Sequence, residues 1–213
     1  EKKNTAFHEA GHALTAALIP EADPIHKVTI IPRGLALGLT QQLPLDDRYT
    51  YTKEYLEAQL SVLMAGRVAE NLFLNKTTTG AANDFEKATE IARKMVCRWG
   101  MSDLGPLTFG EQDDLIFLGR DLAVNKNFSE KTSERIDDEV KKIVMRSLGR
   151  TQELLGANRD KLVKIAELLL EKESLSSDEI NAIVDGKNGP EAPAAAAPAG
   201  EAAAAPGEAP GES

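Results

Sequence analysis

Thr5-Ala6-Phe7-His8-Glu9-Ala10-Gly11-His12-Ala13-Leu14-Thr15-Ala16-Ala17-Leu18 decides how the rest of the chain is read. Its composition predicts a helix, with Asn4 in the N-cap position and Pro20 as the stop. His8 and His12 are four residues apart, so on a helix they lie one turn above each other on one face. Two imidazoles placed this way can grip one ion. Glu9, beside the first of them, is positioned to reach a water on that ion instead of the ion itself. A bound metal lowers that water's pKa toward neutrality, so a carboxylate can take its proton. The spacing H-E-x-x-H is therefore the spacing of metal-assisted amide hydrolysis.

The bland alternative is a pair of core histidines on an apolar helix. Against it, Phe7, Ala10, Gly11, Ala13 and Leu14 make this helix small-sided and buried, and a carboxylate at Glu9 in such surroundings needs a polar reason. Two neutral histidines plus one carboxylate leave a fourth position to water, which makes zinc the natural ion. Spacing does not settle the third ligand. Glu21 and Asp23 lie in a proline-bounded turn and His26 heads a strand, which leaves Glu70 and Asp84 as equal candidates. Glu70 lies on an apolar helical stretch where an unpaired carboxylate would be costly. Asp84 opens a later helix, where an aspartate can also be a simple N-cap.

Outward from this helix, Val28–Ile31 and Leu37–Leu43 are short β-prone runs around Pro32-Arg33-Gly34, and they read as a small sheet or ribbon. Thr52–Phe73 repeats apolar residues at three-and-four spacing, with Ala65-Gly66 small enough for close helix packing. After a polar loop over Asn75–Ala82, a helix is expected from Asp84 to Arg98. Residues 100–119 read as an irregular loop to which chemistry assigns no role. Helices follow over Ser129–Leu155 and Asn158–Glu173. A last one starts after Ser176, whose spacing to Glu179 matches a capping box. The expected fold class is mainly α, a helical domain with a small β-sheet or ribbon. The expected division is a domain over 1–187 and a disordered tail over 188–213, a segment rich in Ala, Pro, Gly and Glu with little to bury.

The chain has 213 residues, 42% hydrophobic, enough for a sizeable core. A net charge of -9 with a pI near 5.0 offers no basic stripe for a phosphate backbone, so nucleic acid is not an expected partner. The single cysteine, Cys97, excludes an internal disulfide and a cysteine-built metal site. Among Met95, Val96 and Trp99 it reads as a buried small hydrophobe. No apolar run reaches membrane-spanning length, so the chain as it stands is expected to be soluble. The motif begins at residue 8, which suggests a fragment of something longer.

Four separated segments, Phe7–Ala13, Ile30–Gly34, Ala65–Glu70 and Thr79–Asp84, together resemble the FtsH family of membrane-anchored, ATP-dependent zinc proteases. The resemblance covers roughly residues 1 to 185. It implies that Zn2+ is held by His8, His12 and Asp84, that Glu9 is the catalytic base, and that Glu70 orients a ligand histidine. It further implies an edge strand over Leu37–Leu43 on which an extended substrate pairs by its backbone. The implied function is an endopeptidase for unfolded or membrane-derived polypeptides, the proteolytic part of a processive quality-control machine. By the same resemblance the parent is a homo-hexamer in the bacterial inner membrane with this domain on the cytoplasmic side. ATP and Mg2+ would enter only through an ATPase module, because no G-x-x-x-x-G-K-[ST] phosphate loop occurs in this sequence. His26 is read as structural. Two rival readings accompany this one: a catalytically silent zinc-bound assembly module, and a zinc hydrolase acting on something smaller than a protein.

Overall fold

The computed structural model describes residues 1–32, 38–43, 50–75, 77–110 and 128–186. The expected tail over 188–213 and the second half of the 100–119 loop lie outside them.

Helix α1 runs Lys2–Leu18, and from Ala6 to Ala16 every residue except His8 is buried. It starts earlier than its composition predicts. Glu1, not Asn4, is the N-cap, and no side chain caps it, so Asn4 sits inside the first turn. A three-stranded antiparallel sheet follows, in the order β2-β1-β3, made of β1 (Ile25–Thr29), β2 (Leu39–Gln42) and β3 (Ser174–Ser176). Val28 pairs with Thr40 on one side and with Leu175 on the other, which makes β1 the centre and β2 an edge. The expected strand over Val28–Ile31 is shifted toward Ile25, because an irregularity between Ile25 and Lys27 leaves His26 and Lys27 both exposed and breaks the alternation.

Helix α2 (Lys53–Leu74) is capped by Thr52, whose hydroxyl accepts from the Tyr55 amide, and ends on Asn75 in the left-handed region. A single 3-10 turn over Thr79–Ala81 leads into α3 (Ala82–Cys97). Helix α4 (Glu130–Ala157) buries Ile136, Val140, Ile143, Ser147, Thr151 and Leu155, one stripe at three-and-four spacing. Helices α5 (Arg159–Lys172) and α6 (Ser177–Val184) complete the fold, the latter with its capping box formed.

Two apolar clusters hold these elements together. One joins α1, the sheet, α5 and α6 through Leu14, Val28, Leu169, Leu175 and Ile180. The other joins α3 and α4 through Met95, Val96, Ile136 and Ile143. Helix α2 belongs to both: Val62, Ala65, Val68 and Ala69 face the first, and Leu56, Leu60 and Met64 the second. Cys97 is only half-buried, a correction to the buried small hydrophobe expected, and its neighbour Trp99 is 42% exposed. No helix among the described residues is long and apolar enough to cross a membrane.

The site depends on how closely α1 and α2 approach. A Cβ on Gly11 would fall 2.5 Å from the Ala65 carbonyl oxygen, and one on Gly66 would fall 2.4 Å from the His8 ring. Glycine at both positions lets the backbones meet and leaves room for an imidazole between them.

Candidate metal centre

His8 and His12 project from one face of α1, with ring centroids 4.7 Å apart and their planes at 74°. Their Nε2 atoms are 3.0 Å apart, and Asp84 Oδ2 lies 3.3 Å from the first and 3.4 Å from the second. Asp84 comes from the first turn of α3, and its element is held against α2 by Arg67, which stacks over the Phe85 ring at 4.9 Å.

The outer nitrogens are occupied. His12 Nδ1 lies 2.7 Å from the Val62 carbonyl oxygen. A carbonyl can only accept, so Nδ1 carries the proton and a neutral His12 presents a bare lone pair at Nε2. His8 Nδ1 lies 2.8 Å from Glu70 Oε1. Glu70 is itself fixed by the amide and hydroxyl of Thr78, at 3.3 and 3.1 Å from its Oε2. Arg67 donates to the Thr78 carbonyl at 2.6 Å and so ties that loop to α2. Every group behind the two imidazoles therefore turns their Nε2 atoms toward Asp84. Burial alone would lower the His8 pKa, but the adjoining carboxylates of Asp84 and Glu70 outweigh it and raise it above 6.5. Burial would raise Asp84, yet His12 and His8 hold its carboxyl well below the usual carboxylate range.

Of the carboxylates that spacing left equal, Asp84 faces both Nε2 atoms and Glu70 stands behind His8. Among the described residues these three side chains are the group whose donor atoms converge closely enough to hold a metal ion. Three donor atoms on a tetrahedral centre with bonds near 2.0–2.1 Å are spaced about 3.3–3.4 Å. The two edges to Asp84, 3.3 and 3.4 Å, match that spacing, and the 3.0 Å edge between the histidines is somewhat shorter. Glu9, 7% exposed, meets β2, where Thr40 donates to its Oε2 at 2.7 Å. Gly38 lies against the other oxygen, and a Cβ there would fall 2.6 Å from Oε1. His26, exposed on β1, is not among the converging groups.

The residue-level reading did not find Thr40, Gly38, Thr78 or the role of Gly66 toward His8. Only Gly38 carried a signal, a glycine inside a strand-like run, which marks a close backbone approach.

The scaffold could hold a single metal ion between one buried helix and a carboxylate from another. Comparison of the whole sequence narrows the class: residues 1–183 match the model of peptidase family M41, and the chain belongs to that family. The ATP-dependent zinc metalloprotease FtsH of Acidobacterium capsulatum is 53% identical over 190 residues, covering 89% of this chain and 30% of that protein. The protein of the same name from Magnetococcus marinus is 54% identical over 188 residues, 88% of this chain and 28% of its own length. That of Myxococcus xanthus is 51% identical over 187 residues, 87% of this chain and 29% of its own. The chain thus spans less than a third of the length of these relatives.

Proposed function

We propose that this chain is a zinc-dependent endopeptidase in which His8, His12 and Asp84 hold the ion and Glu9 is the general base. The observation that carries the reading is the triangle of Nε2, Nε2 and Oδ2 at 3.0, 3.3 and 3.4 Å, with the His12 tautomer fixed by a backbone carbonyl. Two imidazole nitrogens and a carboxylate oxygen this close together form a donor set that a single cation can share. Zinc bound there supplies a Lewis acid that polarises a carbonyl and eases deprotonation of water. The protein's own part is proton movement and orientation. Glu9, buried and adjacent to His8, accepts a proton from the attacking water and passes it to the amine nitrogen released when the C–N bond breaks. Glu70 keeps His8 turned, and the Val62 carbonyl does the same for His12.

Among the described residues strand β2 has one neighbour in the sheet, β1, so its outer edge is the surface on which an extended polypeptide would add as a further strand. Recognition through main-chain atoms suits substrates that are unfolded and varied in sequence. The family relatives are named ATP-dependent zinc metalloproteases. A further part of the proposal follows from that likeness: an ATPase module and membrane anchor in a longer parent, assembled as a homo-hexamer in the bacterial inner membrane, with this domain on the cytoplasmic side and as the proteolytic part. The division of the chain at residue 187 belongs to the proposal as well.

The test is cleavage of a reduced, carboxymethylated protein by the purified chain, with zinc content measured in parallel. Chelator-sensitive cleavage that Glu9→Gln abolishes while zinc stays bound is the expected result. Cleavage retained by Glu9→Gln would remove Glu9 as the base, and zinc retained by Asp84→Ala but lost by Glu70→Ala would overturn the ligand assignment. Zinc binding with no cleavage at all would favour a silent assembly module.

A further inference from the structure

Strand β2 turns Thr40 and Gln42 inward and leaves Leu39 and Gln41 exposed. Gln42 donates to the Asp23 carbonyl at 2.7 Å and anchors the strand to the loop that follows α1. Thr40 does something different. Its hydroxyl lies 2.7 Å from Glu9 Oε2 and 3.3 Å from the Glu9 carbonyl oxygen, so the single hydroxyl proton goes to the shorter, charge-assisted partner. Gly38, two residues earlier, brings the same strand so near that any Cβ would collide with Oε1 and Cγ of Glu9, at 2.6 and 2.8 Å. One carboxylate is therefore gripped by β2 and the residue that leads into it, by a donor on one oxygen and by backbone packing on the other.

We infer that Thr40 is a positioning residue for Glu9, and that β2, the strand on which substrate would pair, is what sets the orientation of the base. The inference rests on the proposed reading of Glu9. A glutamate has two torsions and a freely turning carboxylate between its backbone and its oxygens, so burial alone does not fix where a proton will be accepted. The Thr40 hydroxyl removes that freedom, and it does so from the strand on which a docked polypeptide would pair. The strand's own place is held independently, by its ladder to β1 and by Gln42, so removing the hydroxyl does not release the strand.

Thr40→Val keeps the β-branched shape and removes the donor, while Thr40→Ser keeps the donor and removes a methyl group. For the valine variant the expected result is a kcat about tenfold or more below the parent, with KM, zinc content and melting temperature little changed. The serine variant recovers most of the loss. Crystal structures of the zinc-loaded parent and both variants supply a readout independent of turnover: the Glu9 carboxylate keeps its orientation in the parent and the serine variant and turns away in the valine variant. An unmoved Glu9 in Thr40→Val, or a serine variant as impaired as the valine one, would overturn the inference. A parent protein that binds zinc but cleaves nothing would sink the peptidase reading alone, and the position of Glu9 in the three structures would still decide the role of Thr40.

Discussion

At the scale of single residues, the candidate centre is made by what stands behind the two imidazoles. The His8 ring occupies space that exists only because residue 66 has no side chain, its nearest atom lying 2.4 Å from where a Cβ would be. Gly66→Ala must therefore push the imidazole aside, and disturbance of a ligand's support typically costs about 10–100-fold in metal affinity. Isothermal titration with zinc is the measurement, and an unchanged affinity would show that the ring does not need its present position. The protonation of His8 predicts a second effect. Its pKa is raised above 6.5, so in zinc-free protein its contribution to stability is fully present below 6.5 and is lost as pH rises through the folded value. Zinc held as proposed would reverse the dependence, because the ion competes with that proton and binds more tightly as it leaves. The zinc-induced rise in melting temperature is expected to be larger at pH 8 than at pH 6. Asp84, held ionised far below this range by the histidines, does not contribute to the difference.

At the scale of elements, the sequence showed well what depends on one helix and poorly what depends on two. His8, Glu9 and His12 are legible because four residues are one turn. Asp84 was not separable from Glu70, since which carboxylate faces Nε2 and which faces Nδ1 is decided by the packing of α2 and α3 and not by any spacing. The helices appeared wherever a three-and-four stripe was long, with ends displaced by a few residues. The third strand was missed: Ser174-Leu175-Ser176 is too short for a period, and it exists because β1 offers it a ladder. The capping box at α6 was legible because it is local. There Ser176 Oγ accepts from the Glu179 amide at 3.4 Å, and the Ser176 amide donates to Glu179 Oε2 at 2.9 Å. Ser176→Ala is expected to cost about 1 kcal/mol at pH 7, read from denaturant unfolding. Lys172 leads in holding the Glu179 pKa below 4.5, so the carboxylate's contribution is present above 4.5 and is lost as pH falls through the folded value. The gap between the parent and Glu179→Gln should accordingly close on acidification across that window, and a constant gap would mean that charge is not what Glu179 contributes.

At the scale of the whole molecule, the question is whether two apolar clusters make two units or one. Leu169 is fully buried in the cluster of α1, the sheet, α5 and α6, and Met95 is fully buried in that of α3 and α4. Separate units would melt separately, and damage to one would leave the other's transition in place. Helix α2 argues against this, because successive turns of one continuous helix supply side chains to both clusters, so neither can lose its packing without disturbing the other's wall. The site enforces the same coupling: His8 and His12 stand in the first cluster's helix, while Asp84 begins a helix of the second. Leu169→Ala and Met95→Ala should each cost about 2–5 kcal/mol through lost burial and the cavity left behind. Each should move the whole transition as a single step, seen equally by near-ultraviolet and far-ultraviolet circular dichroism. A biphasic melt in either variant would show that α2 does not unite the clusters. The triangle of His8, His12 and Asp84, which spans both, would then have to be assembled by a bound ion and not by the fold.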